Sequence, residues 1–385
     1  MTGNARGTRR SLEHVRVLDL GRVLAGPFCG MVLADLGAEV IKVEPPDGDV
    51  ARRFAPVVDG TSAYFQWVNR NKLGVTLDLR DPAGIRMLQR LVERCDVLIE
   101  NYRPGVLHRL GLPVEMMLEL NPRLVVVSIT GFGRDGPLAD LPSFDLIAQA
   151  MSGMMAATGP EGGQPTRCGV SVGDLVPGLY GAIGALAALH ERSLTGRGQH
   201  VDVAMLDSLV SILESVAMRA LYTDEPVVAL GNDHGVTIPF GTYRARDGAV
   251  ALVCGGDAKF AVLARTLDRE RWLTDARFVT NAARVAHRRA LRDEIERALA
   301  TRTVDEVVAQ LRAVDLPAAP VLEVREALHQ PQAEHRGLIH EQRDGFRTLA
   351  SALRLSGSVP PTPAPALGEH NQLLPQWVAE PARSQ

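Results

Sequence analysis

The sequence predicts an α/β protein, with a large Rossmann-like, doubly wound domain and a second, smaller α/β domain. Three observations lead there. In the first third of the chain, short apolar runs alternate with capped helical stretches, which is how successive βαβ units read. One run, Arg123-Leu-Val-Val-Val-Ser-Ile129, is continuously apolar and β-branched rather than alternating, as in a parallel strand buried on both faces. Beyond about Pro226 the pattern changes to a hairpin followed by helices.

In chain order, Val15–Leu20 reads as the first strand. Gly26–Gly37 reads as a helix, with Pro27 in its first turn and Gly37 as its stop. Glu39–Glu44 is the next strand, followed by a strand over Gly74–Leu79, a helix over Pro82–Arg94 and a strand over Asp96–Glu100. A helix over Val114–Leu120 leads into the run at Arg123. A helix begins near Asp174 to Pro177 and stops at Thr195-Gly-Arg-Gly198. Gln199–Asp207 is a strand running into a helix that extends from Met205 to Leu221. Ile238–Gly248 and Ala249–Cys254 form the hairpin, with Asp247-Gly248 as its turn. Helices follow over Lys259–Thr266, Arg288–Leu299 and Val304–Val314, and Pro320 begins a return to the large domain. The expected division is therefore 1–225, 226–318 and 319–385.

Composition narrows the function. The 385 residues carry 42 basic and 45 acidic side chains, a net charge of −3, so there is no electrostatic case for nucleic acid or an anionic membrane. The apolar runs around Leu146–Ala157 and Leu179–Leu189 are short for a membrane span. Arg6, Arg9 and Arg10 precede no apolar stretch, which reads as a frayed basic tail rather than a secretory signal. Cys29, Cys95, Cys168 and Cys254 form no C-x-x-C pair, which suits the reducing cytosol and argues against a zinc site; no metal is expected. The turn Gly21-Arg-Val-Leu-Ala-Gly26 lacks the G-x-G-x-x-G spacing of a dinucleotide site, so an NAD-type oxidoreductase is a remote alternative.

The chain is organised around Gly169-Val-Ser-Val-Gly-Asp-Leu-Val-Pro-Gly178 and the small-residue helix after it. The residues leave two readings of Asp174 open. It is either a helix N-cap or a carboxylate nucleophile, kept ionised by the helix terminus and made accessible by flanking glycines.

Gly169–Asp174, the Gly-Ala-Ile-Gly-Ala-Leu-Ala-Ala-Leu run after it and Thr195-Gly-Arg-Gly-Gln-His-Val-Asp-Val-Ala-Met-Leu-Asp207 together resemble the class III CoA-transferases. This is the family of formyl-CoA transferase and carnitine CoA-transferase. Arg22-Val-Leu-Ala-Gly-Pro27, Leu36–Pro45, Asn69-Arg-Asn-Lys72, Asp96–Gly105, Ser128–Gly133 and Ala366–Asn371 extend the resemblance from about Leu12 to Leu374. It implies that Asp174 is the nucleophile. It also implies that CoA lies across Val23, Leu24, Ala25, Asn71, Lys72, Asn101, Tyr102 and Arg109, and that the fold is an interlocked homodimer. CoA and acyl-CoA would be substrates, with no permanently bound cofactor, and the other partner would be a small carboxylic acid. Gly255 and Gly256 fall where relatives carry a lid loop, although the run of four glycines of formyl-CoA transferase is absent. Gly173 and Asp145 are further candidates for shaping the acyl site, and Arg167 and Arg244 for binding a second carboxylate.

Within the same fold, the α-methylacyl-CoA racemases add a histidine in a Gly-His-Asp-type motif, because racemisation needs two acid–base groups about one carbon. Here the matching stretch is Leu141-Pro-Ser-Phe-Asp-Leu-Ile147, and no histidine lies between His108 and His190. A transferase is therefore expected over a racemase. A non-catalytic CoA-binding protein is the more remote alternative.

Overall fold

The computed structural model describes residues 10–342, 345–358 and 360–379; Arg6 and Arg9 of the basic tail lie outside them. The chain forms two compact units. One contains the residues up to Met155, Arg167–Thr223 and the chain from Pro331 onward, and the other contains Ala156–Thr166 and Asp224–Gln330.

The first unit is built on six parallel strands: β1 (Arg16–Asp19), β2 (Glu39–Glu44), β3 (Lys72–Thr76), β4 (Val97–Glu100), β5 (Val125–Thr130) and β6 (His200–Ala204). Their order is β3-β2-β1-β4-β5-β6, with every neighbouring pair parallel. This is a doubly wound order, and it reverses between β1 and β4. Continuous burial along β5 follows from layers on both faces. Val125, Val127 and Ile129 pack with Cys29, Leu33, Ala182 and Ala185, while Val126 and Leu98 pack with Leu88, Leu91, Met117 and Trp377.

The covering helices include α1 (Ala25–Asp35), α2 (Ala63–Val68), α3 (Pro82–Val92) and α4 (Val114–Leu120). Asp81 caps α3 by accepting from the Ala83 N–H at 2.8 Å, with Pro82 at the first helical position. The strand expected over Gly74–Leu79 begins two residues earlier and ends three residues earlier, at Lys72–Thr76, with Asp78–Asp81 forming the turn that leads into that cap. After β5 come α5 (Asp145–Met151) and the 24-residue α6 (Val172–Thr195). The single helix expected over Met205–Leu221 is two, α7 (Met205–Ser211) and α8 (Glu214–Tyr222), broken where Glu214 takes φ 51°.

Glycines in α6 bring it onto its neighbours. A Cβ on Gly178 would lie 2.9 Å from the Ala25 carbonyl oxygen, and one on Gly181 would lie 3.2 Å from Cys29 Sγ. Alone among the described helices, α6 is long and apolar enough to cross a membrane, which the shorter apolar run in the sequence does not suggest. Here its glycine and alanine face covers the sheet.

The second unit holds β7 (Phe240–Arg244), β8 (Ala249–Val253) and β9 (Ala318–Pro320) in the antiparallel order β9-β8-β7. Against them pack α9 (Gly256–Thr266), α10 (Arg288–Leu299) and α11 (Val304–Arg312), around Phe260, Trp272, Phe278, Leu291, Ile295 and Leu311. The strip Ala156–Thr166, which the sequence reading assigns to the large domain, is held in this unit instead. Gly231 N–H donates to the Gly159 carbonyl at 2.9 Å, and Glu161 pairs with Arg288 and Arg289.

Candidate active site

The reversal between β1 and β4 leaves a crevice beyond their C-terminal ends, where open α/β sheets bind ligands. A cavity of about 810 Å³ lies there, lined by Arg22–Ala25 after β1, by Asn101–Pro104 after β4 and by Asp174. Its apolar wall includes Phe54, Ile129, Leu141, Phe144 and Met205.

The loop after β1 is fixed from three sides. Asp19 Oδ1 accepts from the Gly21 N–H at 2.8 Å. The Asn101 amide grips the backbone of Arg22, accepting from its N–H at 2.7 Å and donating to its carbonyl at 2.9 Å. Val23 takes φ 64°, a costly conformation for a β-branched residue. Its N–H is held by the Asp49 carboxylate at 3.1 Å, which also receives Lys42 Nζ at 3.2 Å. Gly21 and Gly26 are in such close contact that a Cβ on either would lie 2.8 Å from the other's Cα. The result is a rigid loop presenting Val23, Leu24 and Ala25 to the cavity.

Asp174 is the third residue of α6, not its N-cap. The carboxylate that caps the helix is Asp145, from α5. Its Oδ1 accepts from the Gly173 N–H at 2.9 Å and from Gln149 Nε2 at 2.8 Å, and its Oδ2 pairs with Arg167 at 3.2 Å. Gly173 has no room for a side chain, since a Cβ there would sit 3.0 Å from Asp145. The Asp174 carboxylate makes no hydrogen bond to another described residue. Burial first, and the Asp145 charge second, push it up to about 7. Such a carboxylate is more basic, and when ionised more nucleophilic, than a solvated one.

Of the expected CoA contacts, Val23, Leu24, Ala25, Asn101 and Tyr102 share this cavity with Asp174. Lys72 does not. It is fully buried, with Nζ 2.7 Å from Asp19 Oδ2, 2.7 Å from the Pro27 carbonyl and 3.0 Å from Asn69 Oδ1. Its charge is consumed in holding β1 to α1, so it is unavailable to a phosphate. Asn71 is likewise committed, with Nδ2 on Asp35 at 2.8 Å and Oδ1 accepting from the Thr362 N–H at 2.7 Å. Arg109 opens onto a separate hollow beside α3. Arg244 and the Gly255-Gly256 pair lie in the second unit: Arg244 pairs with Glu296 at 3.0 Å, and Gly256 opens α9 rather than a free loop. The cavity also contains Arg22, Arg103, Thr130 and Ser143, which the sequence reading does not single out. Arg22, Arg103 and Thr130 each sit inside a motif that carries the resemblance, which is the signal that could have found them; Ser143 Oγ is buried without a hydrogen-bond partner among the described residues.

A sequence model described as CoA-transferase family III matches residues 12–371. The chain belongs to this family. Among the family-III proteins it resembles, the acetyl-CoA:oxalate CoA-transferase of Acetobacter aceti is 38% identical over 96% of this chain and 96% of that protein. The succinyl-CoA:glutarate CoA-transferase of Mus musculus is 38% identical over 94% of this chain and 85% of its own length. Among solved structures, a CAIB/BAIF family protein from Brucella suis superposes with a TM-score of 0.86 at 36% identity, covering 94% of this chain and 98% of the other. Family III thus accounts for nearly the whole chain. No histidine is among the residues lining the cavity, and Phe144, which the sequence reading sets against the racemase histidine, is one of them.

Proposed function

We propose that this CoA-transferase moves CoA from an acyl-CoA to a dicarboxylic acid by covalent transfer through Asp174. The observation that carries the reading is the position of Asp174: a buried carboxylate, with no described hydrogen-bond partner, lining the cavity at the strand-order reversal. In the first step its oxygen attacks the thioester carbonyl, the C–S bond breaks, and an aspartyl anhydride and CoA thiolate result. The thiolate then attacks the aspartyl carbonyl, releasing the donor carboxylate and leaving aspartyl-CoA. The acceptor carboxylate attacks that carbonyl and expels the thiolate, which attacks the acceptor's acyl carbon to form the new acyl-CoA and free Asp174. Every step exchanges an oxygen and a sulfur nucleophile at a carbonyl, so no redox partner is needed.

Oxalate and glutarate, named in the relatives, both carry two carboxyl groups, which is why a dicarboxylic acceptor is chosen. Val23, Leu24, Ala25, Asn101 and Tyr102 line the CoA-binding wall in this reading, with Asn101 acting as a clamp on the loop. Asp145 and Gly173 hold the first turn of α6. The proposed assembly is a homodimer of interlocked chains. It is supported by apolar side chains left exposed on α6 and α8, among them Ile183 at 60% and Leu221 at 70%.

Incubation with a panel of acyl-CoAs, trapping with hydroxylamine or borohydride, and peptide mass spectrometry test the mechanism. The expected result is modification of Asp174 by at least one thioester. Absence of any adduct, together with solvent deuterium entering the α-carbon of an α-methylacyl-CoA, would replace the transferase mechanism with a racemase one.

A further inference from the structure

The cavity poses an electrostatic problem. A dicarboxylic acceptor enters as a dianion, and the only carboxylate among the lining residues is Asp174, which is negative when it is ready to react. A second anion in a partly desolvated cavity is repelled unless a cation receives it. Two guanidinium groups line the cavity, Arg22 and Arg103.

They are placed differently. Arg103, which like Arg22 has no ion-pair partner among the described residues, also lines an adjoining hollow of about 250 Å³ with Glu100, Glu115 and Arg134, where Arg134 pairs with Glu115 at 3.8 Å, so the protein's own charges share its surroundings. Arg22 has no ion-pair partner among the described residues, and it lines the cavity together with Tyr102 and Asp174. Its backbone is the part gripped by the Asn101 amide. It stands three residues before Ala25, whose carbonyl touches Gly178, and Gly178 lies one helical turn after Asp174 on α6. A clamped backbone with an uncommitted guanidinium suits it to receive a carboxylate in a defined orientation.

We infer that Arg22 is the residue that docks the second, non-reacting carboxylate of a dicarboxylic substrate while the first meets Asp174. The inference deepens the proposed function and rests on it. Arg22 forms and breaks no covalent bond. Its contribution is an ion pair with the far end of the acyl group, so it decides between diacids and monoacids rather than whether transfer occurs. Leu24 and Ala25, apolar and buried on the same loop, suit the methylene chain between the two carboxyl groups.

The test compares wild type, Arg22→Met and Arg22→Lys with one acyl-CoA donor and length-matched acceptors, glutarate against pentanoate and succinate against butanoate. New acyl-CoA is followed by chromatography with mass detection. Losing a charge-assisted hydrogen bond to the far carboxylate raises the KM for glutarate about 10–100-fold in Arg22→Met and that for pentanoate less than about threefold. Arg22→Lys recovers part of the preference, because it keeps the charge and loses the two-pronged geometry. Inhibition by free CoA stays as in wild type. Equal weakening of diacid and monoacid, or weaker inhibition by CoA, overturns the assignment and makes Arg22 a CoA-binding residue. So does a wild type that prefers pentanoate to glutarate. If the wild type transfers CoA to no acid, the proposed function fails along with the inference; transfer that continues without discrimination defeats the Arg22 assignment alone. The Arg22 side chain is exposed, so both variants are expected to melt with wild type, and Arg22→Lys gives an independent reading if Arg22→Met does not.

Discussion

At the scale of single residues, the site works by placing charges where the protein pays for them in stability. Asp174 is the clearest case. Its folded-state pKa lies near 7, raised from 3.8 by burial and then by Asp145. The folded protein therefore binds this proton more tightly than the unfolded chain does. The associated stability is fully present below about pH 4, falls as pH rises towards 7, and is gone above it. The variant Asp174→Asn removes the penalty. We expect its melting temperature to match wild type near pH 4 and to exceed it by a few degrees at pH 8. A shift of this size corresponds to about 2–4 kcal/mol. Calorimetry of both proteins across that range checks it, and a constant difference at all pH values would show that Asp174 is not strained by ionisation. The same variant should give no covalent adduct.

Residue identity also shows where sequence reasoning stops. Asp174 is singled out because Gly169–Asp174 and the small-residue helix after it resemble the class III CoA-transferases; the residues alone leave a helix cap and a nucleophile both open. Lys72 reads equally well as a phosphate ligand, yet its ammonium is enclosed by Asp19, the Pro27 carbonyl and Asn69. Those partners stand far from it in sequence, apart from Asn69. No local pattern distinguishes a lysine aimed at solvent from one buried in an ion pair, because the pairing depends on where β1 and α1 come to rest.

At the scale of elements, the contact between α1 and α6 positions the chemistry. Gly178 sits against the Ala25 carbonyl and Phe28, one turn from Asp174, so the loop after β1 and the turn that carries Asp174 are set relative to each other by a contact without room for a side chain. Replacing Gly178 by Val forces the helices apart, because the obstructing atom is backbone. Overpacking of this kind costs about 1–3 kcal/mol. The expected outcome is a lower melting temperature and a fall in kcat larger than that loss of stability alone would cause, with folded protein still recovered. Thermal melts and steady-state kinetics on the same preparation decide it; unchanged kcat would mean that the contact is only structural.

The elements themselves are largely readable. The strand at Glu39–Glu44 and the helices at Val114–Leu120 and Arg288–Leu299 lie where the sequence puts them, since each has an unbroken pattern and clear stops. The break between α7 and α8 is not readable. Glu214 adopts a positive φ that no glycine or proline announces. Likewise, the cap of α6 comes from Asp145 rather than from the residue preceding the helix, which only the packing of α5 against α6 can supply.

At the scale of the whole molecule, the proposed homodimer makes a prediction. Ile183 on α6 is 60% exposed and Leu221 on α8 is 70% exposed, more than a surface without a partner would favour for such side chains in one region of the chain. Introducing Glu at either position should shift the protein from dimer towards monomer in analytical ultracentrifugation and lower its melting temperature. A monomeric wild type, or a dimer indifferent to both changes, rejects the assembly.

The sequence by itself determined the α/β class, because hydrophobic periodicity and helix stops are local properties, and the family through motifs spread along the chain, whose resemblance singles out Asp174 as the carboxylate proposed to react. Only the tertiary structure decided which charges are free. It enclosed Lys72 and Asn71 among partners, turned Asn101 into a clamp on Arg22, gave Asp145 the task of capping α6, and left Arg22 without a described ion-pair partner on the cavity that Asp174 also lines. A charged side chain's availability is set by its neighbours in space, and those neighbours come from strands and helices that meet only once the sheet is wound.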